Sequence, residues 1–219
     1  MSNLIPGVAV RRSPVYRKLE GAEYRLIAGE RQASTIHDRD WQAALIDFSL
    51  MPRFGVRGSG AADQLAEQRF DVPVVINTAT PSGRGSWVAR LGKTEYWVLG
   101  ATDEEQFPAE MSGLAGPETD CYPVPCDEGR AWFVLHHPCR AEVMAKLCGV
   151  DLREAACPLG SIAQTSVARV NAVIIHHTVF KKPVFSLFSD VSSSSYLWGA
   201  LVDALEEFGA GPGALDDIF

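Results

Sequence analysis

The chain has 219 residues, 47% hydrophobic and 21% charged, enough apolar material for one large domain or one domain of two similar halves. Its formal charge of −7 argues against a nucleic-acid-binding surface, which needs clustered Lys and Arg, so no nucleic-acid partner is expected. No apolar run approaches the roughly 20 residues that span a bilayer, and no opening stretch reads as a secretion signal, so a cytoplasmic protein away from membranes is expected.

Residues 1–40 are mixed and turn-rich, with IPG and RRSP, and are expected to form an N-terminal segment wrapping the domain surface. From residue 41 the pattern becomes regular. LIDF and RFGVRG read as short strands, and SGAADQLAEQRF (59–70) as a helix. Ser59 is its expected cap, and Ala61, Ala62, Leu65 and Ala66 give it a modest apolar stripe. GSWVARLG and TEYWVLGA read as adjacent strands, and DEEQFPAEMSGL (103–114) opens with acids as a helix should, with Pro108 near its start.

The same order then returns. AWFVLHH is a strand, PCRAEVMAKLCG a helix ended by Gly149, and SIAQTSVARVNAVIIHH one long strand or two. VFSLFSD is a further strand. SSSSYLWGALVDALEEFG (192–209) is the strongest helix, with Leu197, Leu201, Ala204, Leu205 and Phe208 at three- and four-residue steps. Two similar halves, about 46–118 and 131–209, therefore make up a domain over 41–208. V-x-G-S-G-A at 56–61 stands where V-L-H-H-P-C stands at 134–139, and VARL (88–91) parallels VARV (167–170). The expected class is a duplicated α+β domain, mostly antiparallel sheets with helices on one face. Residues 209–219, GAGPGALDDIF, are expected to be a flexible tail.

The corner GVRGSGA lacks the Gly-Lys-Ser/Thr ending of a phosphate-binding loop and the G-x-G-x-x-G order, so it reads as a strand-to-helix turn. Ser49 has no nucleophile-elbow context, and Asp47 alternates between Ile46 and Phe48 on a strand. The pairs His136–His137 and His176–His177 fall at strand ends, where adjacent side chains point to opposite faces. His136 and Cys139 have no third ligand at metal spacing, so no metal site is expected, and the histidines suit a subunit contact. Trp87, Trp97, Trp132, Phe133 and Trp198 read as core rather than as a flavin site. The five cysteines, an odd count without paired short spacings, read as free thiols. Two charge blocks, basic at 11–18 and acidic at 101–128, read as solvated faces or as docking surfaces.

LIDFSLMPRFGVRGSGAADQL, VARLGKTEYWVLG, LCGVDLREAACPLGSIAQTSVARVNAVII and YLWGALVDAL together resemble the gamma subunit of heterotetrameric sarcosine oxidase, within the wider folate-binding aminomethyltransferase family. The resemblance covers about residues 40–208, and DLREAACPLGSIAQTSVARV is its most specific block. It implies the duplicated folate-binding fold and a hetero-oligomer with larger catalytic subunits that oxidatively demethylate N-methylated amines. Tetrahydrofolate and flavin or iron would then lie in those partner chains, with no cofactor in this one. The family's acid-containing N-D-x-Y folate loop is not matched by ADQL or RFDV, and its additional C-terminal region is not matched, which favours a non-catalytic relative. Asp47, Arg57, Arg90 and Arg169 are the candidate cofactor-binding residues, a polar pocket between the halves in which a paired arginine grips a folate carboxylate. Internal salt bridges or surface arginines are the competing reading of the same four.

Overall fold

The computed structural model describes residues 11–27, 30–100 and 116–218; the expected helix at 103–114 lies outside the described residues. A hairpin of β1 (Ala22–Ile27) and β2 (Glu30–Ile36) forms a sheet of its own, packed against the core of two larger sheets. Next come β3 (Gln42–Asp47), β4 (Arg53–Arg57), α1 (Ala61–Glu67), β5 (Thr78–Pro81), β6 (Trp87–Arg90) and β7 (Glu95–Leu99). Then follow β8 (Tyr122–Val124), β9 (Arg130–Leu135), α2 (Arg140–Ala145), β10 (Ile162–Val167), β11 (Val170–Val179) and β12 (Lys182–Asp190). The chain continues with α3 (Ser194–Glu206) and β13 (Ala210–Gly213).

The six-stranded sheet runs β10-β11-β12-β9-β3-β13 and the five-stranded sheet β5-β6-β7-β4-β8. Four strands of each sheet follow the same path, β5-β6-β7-β4 matching β10-β11-β12-β9, and a helix follows both β4 and β9. The expected α+β duplication is present. Its boundary differs from a simple tandem, because β3 precedes β4 in the chain but pairs with β9, while β8 precedes β9 but pairs with β4. Each unit lends its first strand to the other sheet.

Period-two alternation sorts the side chains into layers. On β9, Phe133 and Leu135 face α3, whereas Trp132 and Val134 face the other sheet. On β7, Trp97 and Leu99 join that inner layer, while Tyr96 and Val98 pack under α1. The sheets thus stack with helices on their outer faces. In α3, Leu197, Leu201 and Leu205 are fully buried, each contributing about 1.5–3 kcal/mol of apolar burial.

Several expectations are corrected. Residues 209–218, nearly all of the expected tail at 209–219, are not free: β13 pairs in parallel with β3, and Ala214, Leu215 and Ile218 are buried. The apolar spacing was hidden by Gly, Pro and Asp around it. The N-terminal segment does more than wrap the surface, since Val15 and Leu19 enter the core beneath the six-stranded sheet. Ser59 is not the cap of α1; Gly60 holds that position, and the Ser59 hydroxyl and N–H both donate to Asp120. A Cβ on Gly60 would stand 1.9 Å from the Thr119 carbonyl, so glycine is required by close approach of the chain. The 161–177 stretch is two strands, joined by a turn with Ala168 and Arg169 at φ 47° and 68°. VARL is therefore strand while VARV crosses a turn, and that match does not mark equivalent positions; the strand-to-helix match at 56–61 and 134–139 does.

Candidate functional site

A cavity of about 340 Å³ opens between the two sheets. Phe48, just after β3, supplies one wall: its N–H donates to the Trp132 carbonyl at 2.8 Å, and the two rings meet edge-to-face at 5.4 Å. Trp87, at the start of β6, packs edge-to-face on His177 at 5.5 Å. Met51 and Leu99 complete the buried floor, and Pro81, Gly85 and Lys181 form an exposed rim.

Alternation along β11 sends Ile174 and His176 toward the helices, and Ile175 and His177 toward the cavity side. The Trp132 indole donates to the Ser186 hydroxyl at 2.7 Å, and the same oxygen lies 2.6 Å from His177 Nε2. An indole only donates, so the hydroxyl accepts from Trp132 and shares its second hydrogen bond with His177 Nε2. The other ring nitrogen, Nδ1, is buried without a hydrogen-bond partner. Burial pushes the His177 pKa down to about 3, helped by neighbouring His176. The ring is uncharged at neutral pH. Among the described residues lining the cavity, Lys181 alone is charged, and it stands at the exposed rim in a two-residue turn with Phe180 (φ 47° and 64°).

The structure does not bring together the four residues expected to form a polar pocket. Asp47 is buried beneath the N-terminal segment, accepting from the Ser13 hydroxyl and from Ser49 N–H at 3.0 Å. Burial raises its pKa against these hydrogen bonds. Arg57 ends β4 opposite Glu95 and Tyr122, with its residue exposed. Arg169 is exposed at the tip of the β10–β11 turn. Arg90 donates to the carbonyls of Gly92, Pro73, Val74 and Lys93 and lies over Tyr96, holding the loop before β5. A pattern match in sequence had paired two arginines that the turn at 168–169 separates.

Of the histidine pairs, His136–His137 lie at the end of β9 as expected, and the other pair is relocated. His176 and His177 lie inside β11 and are buried, so they are not strand-end residues of a subunit contact. His176 hydrogen-bonds to the Cys157 carbonyl at 2.7 Å and to Arg140 at 3.2 Å. His136 meets the Pro183 carbonyl at 3.3 Å, and His137 accepts from Cys139 N–H at 3.2 Å. Ser49 is structural, its hydroxyl accepting from Trp132 N–H at 3.1 Å. The tryptophans at 87, 97, 132 and 198 are buried as expected, two of them as cavity wall.

Sequence reasoning missed Arg53, which is buried and donates to the carbonyls of Ser49, Met51, Cys126, Asp127 and Arg130. It also missed His177, Ser186 and Lys181. Alternation counted from Ile175 puts His177 on the inner face, but no spacing links it to Trp132 or Ser186.

This architecture is the aminomethyltransferase-like α+β fold. Heterotetrameric sarcosine oxidase from Corynebacterium sp. U-96, in complex with pyrrole 2-carboxylate, superposes with a TM-score of 0.68 at 21% identity, over 92% of this chain and 97% of that one. Glycine cleavage system aminomethyltransferase T from Bartonella henselae superposes with a TM-score of 0.68 at 19% identity, over 94% of this chain and 60% of that one. The chain thus spans 60% of the length of aminomethyltransferase T. No family model matches the chain, and no curated protein matches it.

Proposed function

We propose that this chain is a non-catalytic, gamma-type subunit of a cytoplasmic hetero-oligomeric oxidoreductase that demethylates an N-methylated amine of the sarcosine, dimethylamine or N-methylglutamate type. The larger chains hold tetrahydrofolate and the flavin or iron, and the released carbon leaves as formaldehyde or passes to tetrahydrofolate there. The observation that carries this reading is the shared fold: the likeness to a chain of heterotetrameric sarcosine oxidase takes in 92% of this chain and 97% of that one, with a TM-score of 0.68.

The test is purification of the untagged protein, at low salt, from source cells that oxidise an N-methylated amine. Co-elution with larger chains, a flavin absorbance in the same peak and amine-dependent electron transfer are expected. A chain that migrates alone at 23.8 kDa, away from the amine-oxidising activity, overturns the reading.

A further inference from the structure

The cavity between the sheets has a shape and a charge that do not depend on the assembly. Its walls are aromatic: Phe48, Trp87, Trp132 and the ring of His177. His177 cannot supply a charge there, and among the described lining residues there is no carboxylate to receive the N–H groups of a cationic or amino-substituted ring. The single charge is the Lys181 ammonium, exposed at the rim. A volume of about 340 Å³ lies at the small end of the range for ligand pockets, roughly 300–1,000 Å³.

We propose that the cavity takes a one- or two-ring aromatic monocarboxylate, its ring between the sheets and its carboxylate at the rim beside Lys181. An aromatic ring placed among edge-to-face partners gains dispersion and quadrupole contacts beyond simple burial. A carboxylate left at the rim keeps part of its hydration, so the desolvation that would exclude an ion from the floor does not arise. Lys181 meets it as a point charge without constraining the ring's orientation. Among the described lining residues a tricarboxylate or a doubly charged phosphate finds one cation only. This ligand class deepens the account of the cavity but does not depend on the demethylating assembly.

The probes are 1-naphthoate, its uncharged carboxamide, and 5-formyltetrahydrofolate, titrated against the full chain by calorimetry and by the indole N–H signals of its tryptophans. We expect 1-naphthoate to bind with a perturbed Trp87 or Trp132 signal, and the carboxamide to bind at least fivefold more weakly. Lys181→Gln, at an exposed position, should abolish the difference between acid and amide with an unchanged thermal midpoint, and Lys181→Glu should reverse it. Equal affinities in the wild-type protein, no binding of either naphthyl compound, or tighter binding of 5-formyltetrahydrofolate than of 1-naphthoate overturns the proposal. Because assembly is measured separately, a chain that assembles but ignores 1-naphthoate sinks this inference alone, and one that binds it but never assembles sinks only the subunit reading.

Discussion

Trp132 and His177, on β9 and β11, are joined through one hydroxyl, that of Ser186 on β12, which lies 2.7 Å from the indole nitrogen and 2.6 Å from the imidazole. Ser186→Ala strands two buried nitrogens, each costing about 1–3 kcal/mol when left unpaired. The expected loss is about 2–4 kcal/mol in urea unfolding, with Ser186→Thr retaining more than Ser186→Ala. A loss below about 1 kcal/mol for Ser186→Ala would mean that the shared hydroxyl is not stabilising the sheet.

The depressed pKa of His177 makes stability depend on pH in a definite direction. An unfolded histidine takes up its proton near pH 6.5, whereas the folded one resists until about pH 3. Between those values the unfolded state binds more protons, so stability falls as pH falls, by roughly 3 kcal/mol between pH 7 and pH 4 from this residue. Asp47 acts in the opposite sense: burial raises its pKa, so the folded form is favoured as pH falls toward the ordinary carboxylate value. The comparison is therefore between wild type and His177→Gln at each pH. The advantage of wild type should shrink steadily below pH 6.5, and a constant difference would remove His177 as its source.

Removing residues 210–219 should unfold the protein or lower its stability severely. Leu215 and Ile218 fill the layer between the sheets, and Arg39 forms a two-point ion pair with Asp217. Leu215→Ala alone is expected to cost about 2–5 kcal/mol. A truncated chain with the wild-type melting temperature would contradict the pairing of β13.

Arg90 gathers backbone carbonyls from both sides of its own strand, so Arg90→Gln should loosen the loop rather than the sheet. Hydrogen exchange is expected to accelerate over 73–78, with a global loss of about 1–2 kcal/mol. Unchanged exchange there would show that Val74, Val75 and Ile76 are held by something else.

Gly58 sits at φ +143°, and a Cβ placed on it would come within 1.8 Å of the Asp120 carbonyl. Gly58→Ala is expected to cost about 3 kcal/mol or more, because backbone strain and backbone overlap act together. A melting temperature within error of wild type would show that the 116–121 segment does not lie against this turn.

Much of the architecture was legible from short-range pattern. Leu197, Leu201 and Leu205 announced α3 by their spacing, and the repeated order of strands and helix announced the duplication. β13 was not legible, because a strand of Ala-Gly-Pro-Gly has no propensity for one and forms only against β3. The site was less visible still. Asp47, Arg57, Arg90 and Arg169 were selected for charge, yet the cavity is built from neutral groups whose convergence depends on packing one sheet over the other. Lys181 was hidden because a cation in a turn reads as solvated surface.

The exchange of β3 and β8 between the sheets has a consequence for how such a chain arises and how it can be cut. Neither unit is a self-sufficient module: each one alone lacks the strand that its neighbour lends, and exposes an unpaired ladder beside β4 or β9. A shorter forerunner encoding one unit would complete its sheets only by meeting a second copy of itself and trading first strands. Fusion of two such copies into one polypeptide would turn a concentration-dependent pairing into an intramolecular one and free β10–β12 to differ from β5–β7.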